Sequence, residues 1–350
     1  MLLILPALTA DSCLTLLCTC AWIVTFARPP DQFSSTMSKM ERNTTFTGDI
    51  LQVQGFDISP KFTYPVFVLL LLLYCSLLCS NIGLLVLIIL EKSLHQPMYF
   101  LFCNLSVNDV IGNTVVLPQL MVHLISTQRL ITYNQCVVQA FYSHTFGSAS
   151  HLILIIMAID RYVAICHPLK YSAIMTSRTV VRLSVSAWGA SLVLVSVLIG
   201  LTVRLSRCRS VIQNAYCDNP SLFKLSCEDV SINNVYGLFF TVLLFTCSIG
   251  SIAVTYIRIA LICWMKKSQE LNNKAMQTCA SHLVVYLIML WSGCITIILH
   301  RFPEYPELRK MSYILFHVVP ANLNPIIYGM QTRLLRDKLV QILQRKVVPA

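Results

Sequence analysis

Seven apolar runs limit what this chain can fold into. They lie near residues 65–90, 98–124, 137–163, 183–203, 232–262, 276–299 and 311–330. A bilayer core is crossed by about 20 apolar residues in a helix, and inside it each backbone polar group must be bonded within the protein. The expectation is therefore an all-α membrane protein, a seven-transmembrane helix bundle with a short C-terminal amphipathic helix. Composition agrees. The chain is 56% hydrophobic and only 12% charged, with mean hydropathy +0.69, whereas soluble proteins carry about 25% charged residues. The second, third and seventh runs are broken by polar residues, as expected of helices facing a bundle interior.

Seven crossings leave the termini on opposite sides, and the basic residues say which is which. With the chain starting outside, cytoplasmic segments hold 12 Lys and Arg, among them Lys92, Lys170, Arg178, Lys266 and Arg333. The short outer loops hold four: Arg129, Arg301, Arg309 and Lys310. This is the positive-inside pattern, although the long outer segments carry eight more. Asn43-Thr44-Thr45 is a glycosylation sequon, which fits a lumenal N-terminus. Asn104-Leu105-Ser106 also matches but falls within a span, so it is read as chance. The net charge of +11 does not point to nucleic acid, because the basic residues are dispersed between spans.

The organisation that follows has four parts. Residues 1–36 read as a cleaved leader or an upstream-start extension. Leu2 to Phe26 is apolar, but a basic n-region is missing and Asp11 interrupts the run. Residues 37–64 form an extracellular N-terminus and residues 65–330 the bundle. Residues 331–350 form a cytoplasmic amphipathic helix and tail, in which Leu335, Leu339, Ile342 and Leu343 recur at helical spacing.

The chemistry-bearing residues begin at the inner end of the third run, in MAIDRYVAICHPLKY (157–171). An arginine at a helix end in lipid must be paired, wet or snorkelling, and Asp160 is an immediate partner for Arg161. Asp109 is a carboxylate inside a span, which marks it as functional by default. Asn324-Pro325 breaks the seventh run, because Pro325 lacks a backbone donor and clashes with the preceding turn; this makes a hinge near Tyr328. Most of the 15 cysteines lie in apolar runs and read as small buried hydrophobes. Cys136, Cys208, Cys217 and Cys227 sit at or between span ends, and four cysteines permit three pairings. His144 and His151 stand roughly 10.5 Å apart along a helix, too far to share a metal ion, and read as structural histidines in a polar lining.

Three further segments accompany the Asp160-Arg161-Tyr162 triplet: LHQPMYFLFCNLSVNDV (94–110), KAMQTCASHLVVY (274–286) and PANLNPIIY (320–328). Together, in this order and spacing, they resemble the signatures of the olfactory (odorant) receptors, a branch of the rhodopsin-like G-protein-coupled receptors. The resemblance runs from about Asn81 to the tail. It implies a non-enzymatic receptor at the plasma membrane of olfactory sensory neurons. Its partners would be a small-molecule odorant on the outer side and a heterotrimeric G protein of the stimulatory, olfactory type inside, raising cyclic AMP.

The resemblance also implies roles for residues. Asp160, Arg161, Tyr162, Tyr256, Asn324, Pro325 and Tyr328 would form the coupling switch, with Tyr256 and Tyr328 swinging inward on activation. Ser143, His144, Gly147 and Ser148 would line the odorant cavity, with Phe240, Gly293 and Ile297 opposite. Arg301 could anchor an anionic ligand or simply answer Glu304. Asp109, Ser150 and Asn324 look like the family's sodium pocket, with a protonated, ion-free Asp109 as the alternative. Cys136–Cys217 and Cys208–Cys227 would be bridged. Three positions depart from the pattern: Thr255 precedes Tyr256, Met289-Leu290 replaces a Phe-Tyr pair, and Asn214 stands where many members have histidine.

Two other classes are open to such a chain. A transporter or channel would show internal repeats and paired broken helices, and the segments compared show none. A non-olfactory receptor for a peptide or amine is disfavoured by the second- and sixth-run signatures, and Ser143 offers an amine no acidic partner.

Overall fold

The computed structural model describes residues 49–266, 269–300, 302 and 304–331, with backbone alone at 266, 269–278 and 329–331. Residues 1–36, the sequon at Asn43, Arg301 and the amphipathic helix expected after Gln331 lie outside the described residues. Seven long helices account for most of the rest: α1 (Pro60–Leu90), α2 (Pro97–Ile125), α3 (Tyr133–Cys166), α4 (Ser177–Val203), α5 (Ser231–Lys266), α6 (Gln269–Leu299) and α7 (Pro306–Gln331).

Local chemistry sets where these helices start. Proline opens α1 and α2, where its missing N–H would have no intrahelical partner anyway. A capping box opens α3: Thr132 Oγ1 accepts from the Gln135 N–H, and the Gln135 side chain accepts from the Thr132 N–H. Thr176 caps α4 by accepting from the Thr179 N–H. Each helix begins before its apolar run does. α1 starts at Pro60 and α3 at Tyr133, because hydropathy marks the lipid-crossing stretch and caps mark the helix.

Among the described residues, six helices (α1 to α6) are long and apolar enough to cross a membrane. α7 is long enough, at about 1.5 Å per residue, but too polar on composition alone. Its polar groups turn inward: Lys310, Ser312, His317 and Asn324 are all buried. The exposed surface shows the reverse pattern. Phe62, Leu69, Val185, Val193, Val235, Val242 and Trp291 face outward, as lipid-facing side chains must.

α3 is the central element, packed against α2, α4, α5 and α6, while α1 and α7 close the ring beside α2. Polar groups bind helices together at depth. Pro325 cannot donate to the Ala321 carbonyl, and Asn81 Nδ2 of α1 donates to it instead at 2.9 Å. Trp188 Nε1 of α4 donates to Asn104 Oδ1 of α2 at 3.1 Å, so the second sequon match lies inside the bundle.

A small sheet caps the outer end. β1 (Ile50–Val53) is its middle strand, antiparallel to β2 (Leu130–Thr132) and parallel to β3 (Val211–Ile212). Leu51, Val53, Ile131 and Ile212 pack beneath it against the Cys136–Cys217 bridge.

Candidate functional site

At the inner end of α3, Asp160 is buried and holds Arg161 directly. Arg161 Nε and Nη2 donate to Asp160 Oδ2 at 3.1 and 2.5 Å. The other carboxylate oxygen accepts from Tyr171 Oη at 2.8 Å. Tyr171 belongs to the loop between α3 and α4, so one buried carboxylate ties the cation to that loop. Tyr162 packs edge-on to His167. Tyr256 Oη shares a 2.6 Å hydrogen bond with His282 Nδ1, and Ser248 Oγ one of 3.1 Å with Tyr286 Oη; both link α5 to α6. Tyr328 stacks on Phe102 of α2, with ring centroids 4.5 Å apart. In this arrangement Tyr256 and Tyr328 are held by α6 and α2.

Midway along the bundle, Asn324 Nδ2 donates to Asp109 Oδ2 at 2.9 Å. Ser150 is engaged differently, accepting from Asn108 Nδ2 at 2.8 Å. Asp109 Oδ1 has no hydrogen-bond partner, and neither do the Oδ1 atoms of Asn113 and Asn324. Buried oxygen acceptors left over in this way are the donor set a hard cation takes, so these residues fit a sodium ion. Among the described residues no group of three or more His, Cys, Asp or Glu could hold a metal.

The outer half holds a cavity of about 270 Å³ between α3, α5, α6 and α7. Ser143, His144, Gly147, Ser148, Phe240, Gly293 and Ile297 all border it; Leu290 does not. The two glycines make room for Phe316. A Cβ at Gly147 would stand 3.2 Å from its ring, and one at Gly293 would stand 3.3 Å away.

The polar groups are less available than their positions suggest. Ser143 Oγ accepts from Tyr313 Oη at 2.8 Å and pairs with His317 Nε2 at 3.1 Å. Ser148 Oγ donates back to the His144 carbonyl. His144 Nε2 accepts from the Asn219 N–H at 3.2 Å. His151, read from sequence as structural, borders the cavity between Phe245 and Tyr286, and neither ring nitrogen has a partner.

A one-turn helix, Asn219–Phe223, roofs the cavity. Cys136–Cys217 anchors it to α3, and Cys208–Cys227 closes the outer part of the same loop. Asp218 fastens it to the end of α6 through a 2.8 Å ion pair with His300. Burial pushes the Asp218 carboxyl up, but His300 and the Ser221 hydroxyl and N–H hold it well below the usual carboxylate range. Asn214 donates to Ser221 Oγ at 2.7 Å and accepts from Arg309 Nε at 3.0 Å, so the residue that departs from the family pattern braces this loop to α7. Sequence reasoning missed Asp218 and His300. Their one signal was the position of Asp218 directly after Cys217.

Seven helices, a disulfide-pinned outer loop, a cavity in the outer half and a paired arginine at the inner end define a rhodopsin-like membrane receptor. The crystal structure of squid rhodopsin has this fold, with TM-score 0.66 at 20% identity over 84% of this chain and 89% of that one. The olfactory receptor family model matches residues 70–346, and the chain belongs to that family. Olfactory receptor 5B12 of Homo sapiens is 34% identical over 310 residues, 88% of this chain and 96% of its own length. Olfactory receptor 2B6 of Mus musculus is 33% identical over 308 residues, 87% and 97% respectively. The protein is thus a multi-pass, non-enzymatic receptor, which sets aside the transporter and peptide-receptor readings.

Proposed function

We propose that this receptor binds a small odorant from the extracellular side and activates a heterotrimeric G protein of the stimulatory, olfactory type, raising cyclic AMP. It would work at the plasma membrane of olfactory sensory neurons, N-terminus outside and C-terminus in the cytoplasm. One observation carries this reading: α3 both lines the outer cavity and carries the paired Arg161. His151 borders the cavity, and Arg161 lies ten residues further along α3, about 15 Å at 1.5 Å per residue.

The mechanism follows from the contacts. A ligand in the cavity meets Phe240, Gly293 and Ile297 on α5 and α6, and Phe316 on α7. The hydrogen bond Ser248–Tyr286 couples α5 to α6, while the one from Tyr256 to His282 is given up on activation. Their inner ends separate from α3, Tyr256 and Tyr328 turn inward, and Arg161 leaves Asp160 to become a cationic donor to the G protein. Leu169, 97% exposed in the neighbouring loop, supplies an apolar contact for that partner. A sodium ion held by Asp109, Asn113 and Asn324 would offset the buried charge and tie α2 to α7 in the closed state. A ligand shifts this equilibrium only by its differential affinity for the two states.

The test is an odorant panel on cells expressing the chain, read as cyclic AMP, with Arg161→Ala as control. Dose-dependent responses that vanish in the variant are expected. A full response from Arg161→Ala overturns the coupling mechanism.

A further inference from the structure

Above the roofed cavity lies a second, outward-facing space of about 680 Å³. Among the described residues its wall carries Arg129, Arg209, Lys224, Arg309 and His300, and not one Asp or Glu. Four outer carboxylates are engaged elsewhere: Asp49 with Arg207, Asp218 with His300, Glu307 with Lys310 and Glu228 with Ser206. Among the described residues, no carboxylate lies within ion-pair distance of Arg129, Arg209, Lys224 or Arg309.

Arg309 is the telling residue. It is only 7% exposed, yet its partners are neutral: Nε donates to Asn214 Oδ1 at 3.0 Å and Nη2 to the Gln213 carbonyl at 3.1 Å. Buried charges are ordinarily paired, and a guanidinium has five N–H donors in a fork matched to oxyanions. Arg129, half-buried, likewise donates to neutral groups, the His123 and Gln54 carbonyls. Carbonyl groups fix both guanidinium planes without neutralising them. Pro306, the first residue of α7, is also on this wall, and the positive end of a long helix adds to the same potential. A space of this size takes a small organic molecule.

We propose that this vestibule is a second binding site, for a small molecule bearing an oxyanion (a carboxylate or sulfate) that pairs with Arg309 and is attracted by Arg129, Arg209 and Lys224. It is distinct from the roofed cavity and does not depend on the odorant reading of that cavity. Lys224, Pro220 and His300 border both spaces, so an anion held here touches the roof of the inner cavity from outside.

The test uses purified full-length receptor in zwitterionic phosphatidylcholine nanodiscs, titrated at constant ionic strength with sodium hexanoate and, separately, sodium sulfate. Binding is read from the thermal unfolding midpoint. The expected result is a saturable rise with at least one anion. Arg309→Gln should weaken that affinity tenfold or more. Arg209→Gln/Lys224→Gln, at two exposed positions that carry no fold, should weaken it severalfold, and raising sodium chloride should weaken binding to the unsubstituted chain. A non-saturable response to both anions overturns the proposal, and so does an affinity that the exposed double substitution leaves unchanged.

Discussion

Ser143 borders the cavity as expected, but its hydroxyl is also shared with Tyr313 and His317, and its substitution has a calculable effect. His317 Nδ1 donates to the Tyr313 carbonyl at 3.0 Å. For an imidazole with one ring proton, Nε2 is then an acceptor. Ser143 Oγ therefore donates to Nε2 at 3.1 Å and accepts from Tyr313 Oη at 2.8 Å. All three side chains are buried. Tyr313→Phe removes one hydrogen bond and strands nothing, because Ser143 keeps His317. That costs about 0.6–1.5 kcal/mol, between the average for membrane helices and that for soluble proteins. Ser143→Ala strands both Tyr313 Oη and His317 Nε2, at about 1–3 kcal/mol each, so roughly 2–4 kcal/mol in total after relaxation.

The double substitution sharpens the test. On the Ser143→Ala background, Tyr313→Phe removes a stranded hydroxyl and should be neutral or stabilising. Unfolding of all four proteins by SDS in bicelles, followed by tryptophan fluorescence, gives the cycle. If Tyr313→Phe destabilises both backgrounds equally, or costs more than Ser143→Ala, the relay is wrong. Ser143 would then be open to the ligand-contact role, for which Ser143→Ala would lower odorant potency without lowering stability.

Asp160→Asn weakens the hold on Arg161 and Tyr171 together, so cyclic AMP without ligand should rise severalfold; a fall to the Arg161→Ala level would contradict the lock. Gly293→Val and Gly147→Val each push side-chain atoms toward Phe316 across gaps of 3.3 and 3.2 Å, so odorant potency should fall about tenfold or more with surface expression retained. Unchanged dose–response curves would remove Phe316 from the cavity wall. The low folded pKa of Asp218 means its stabilising contribution is complete above the ordinary aspartate range, near pH ~4. It is lost only as pH falls below that range through the folded value. Asp218→Asn should therefore lower the melting temperature at pH 5, where the native carboxylate is still ionised; an unchanged melting temperature there would contradict this.

What could be read from sequence follows a physical division. Span number, the Asp160–Arg161 pair and the Pro325 break depend on neighbours within a turn or two, and local chemistry determines them. Four motifs in order were enough to indicate the family, and the resemblance anticipated both disulfides. The cavity-lining positions on α3 likewise came from the resemblance.

Partners were not legible, because they come from distant parts of the chain and meet only once crossing angles and rotamers are set. Ser143 was expected to line the cavity, and in the fold its hydroxyl is bonded to Tyr313 and His317. Ser150 looked like a neighbour of Asp109, and Asn108 claims it instead. Asp218 and His300 carried no motif and became the clasp of the cavity roof. Asn81 supplies the donor that Pro325 lacks, from the far end of the chain. By itself the sequence determined a seven-helix receptor with a paired arginine at its inner end, because solvent and neighbouring residues dictate those features. The tertiary structure alone decided which polar groups remain available to a ligand, because each buried donor and acceptor pairs with whatever the packing brings beside it.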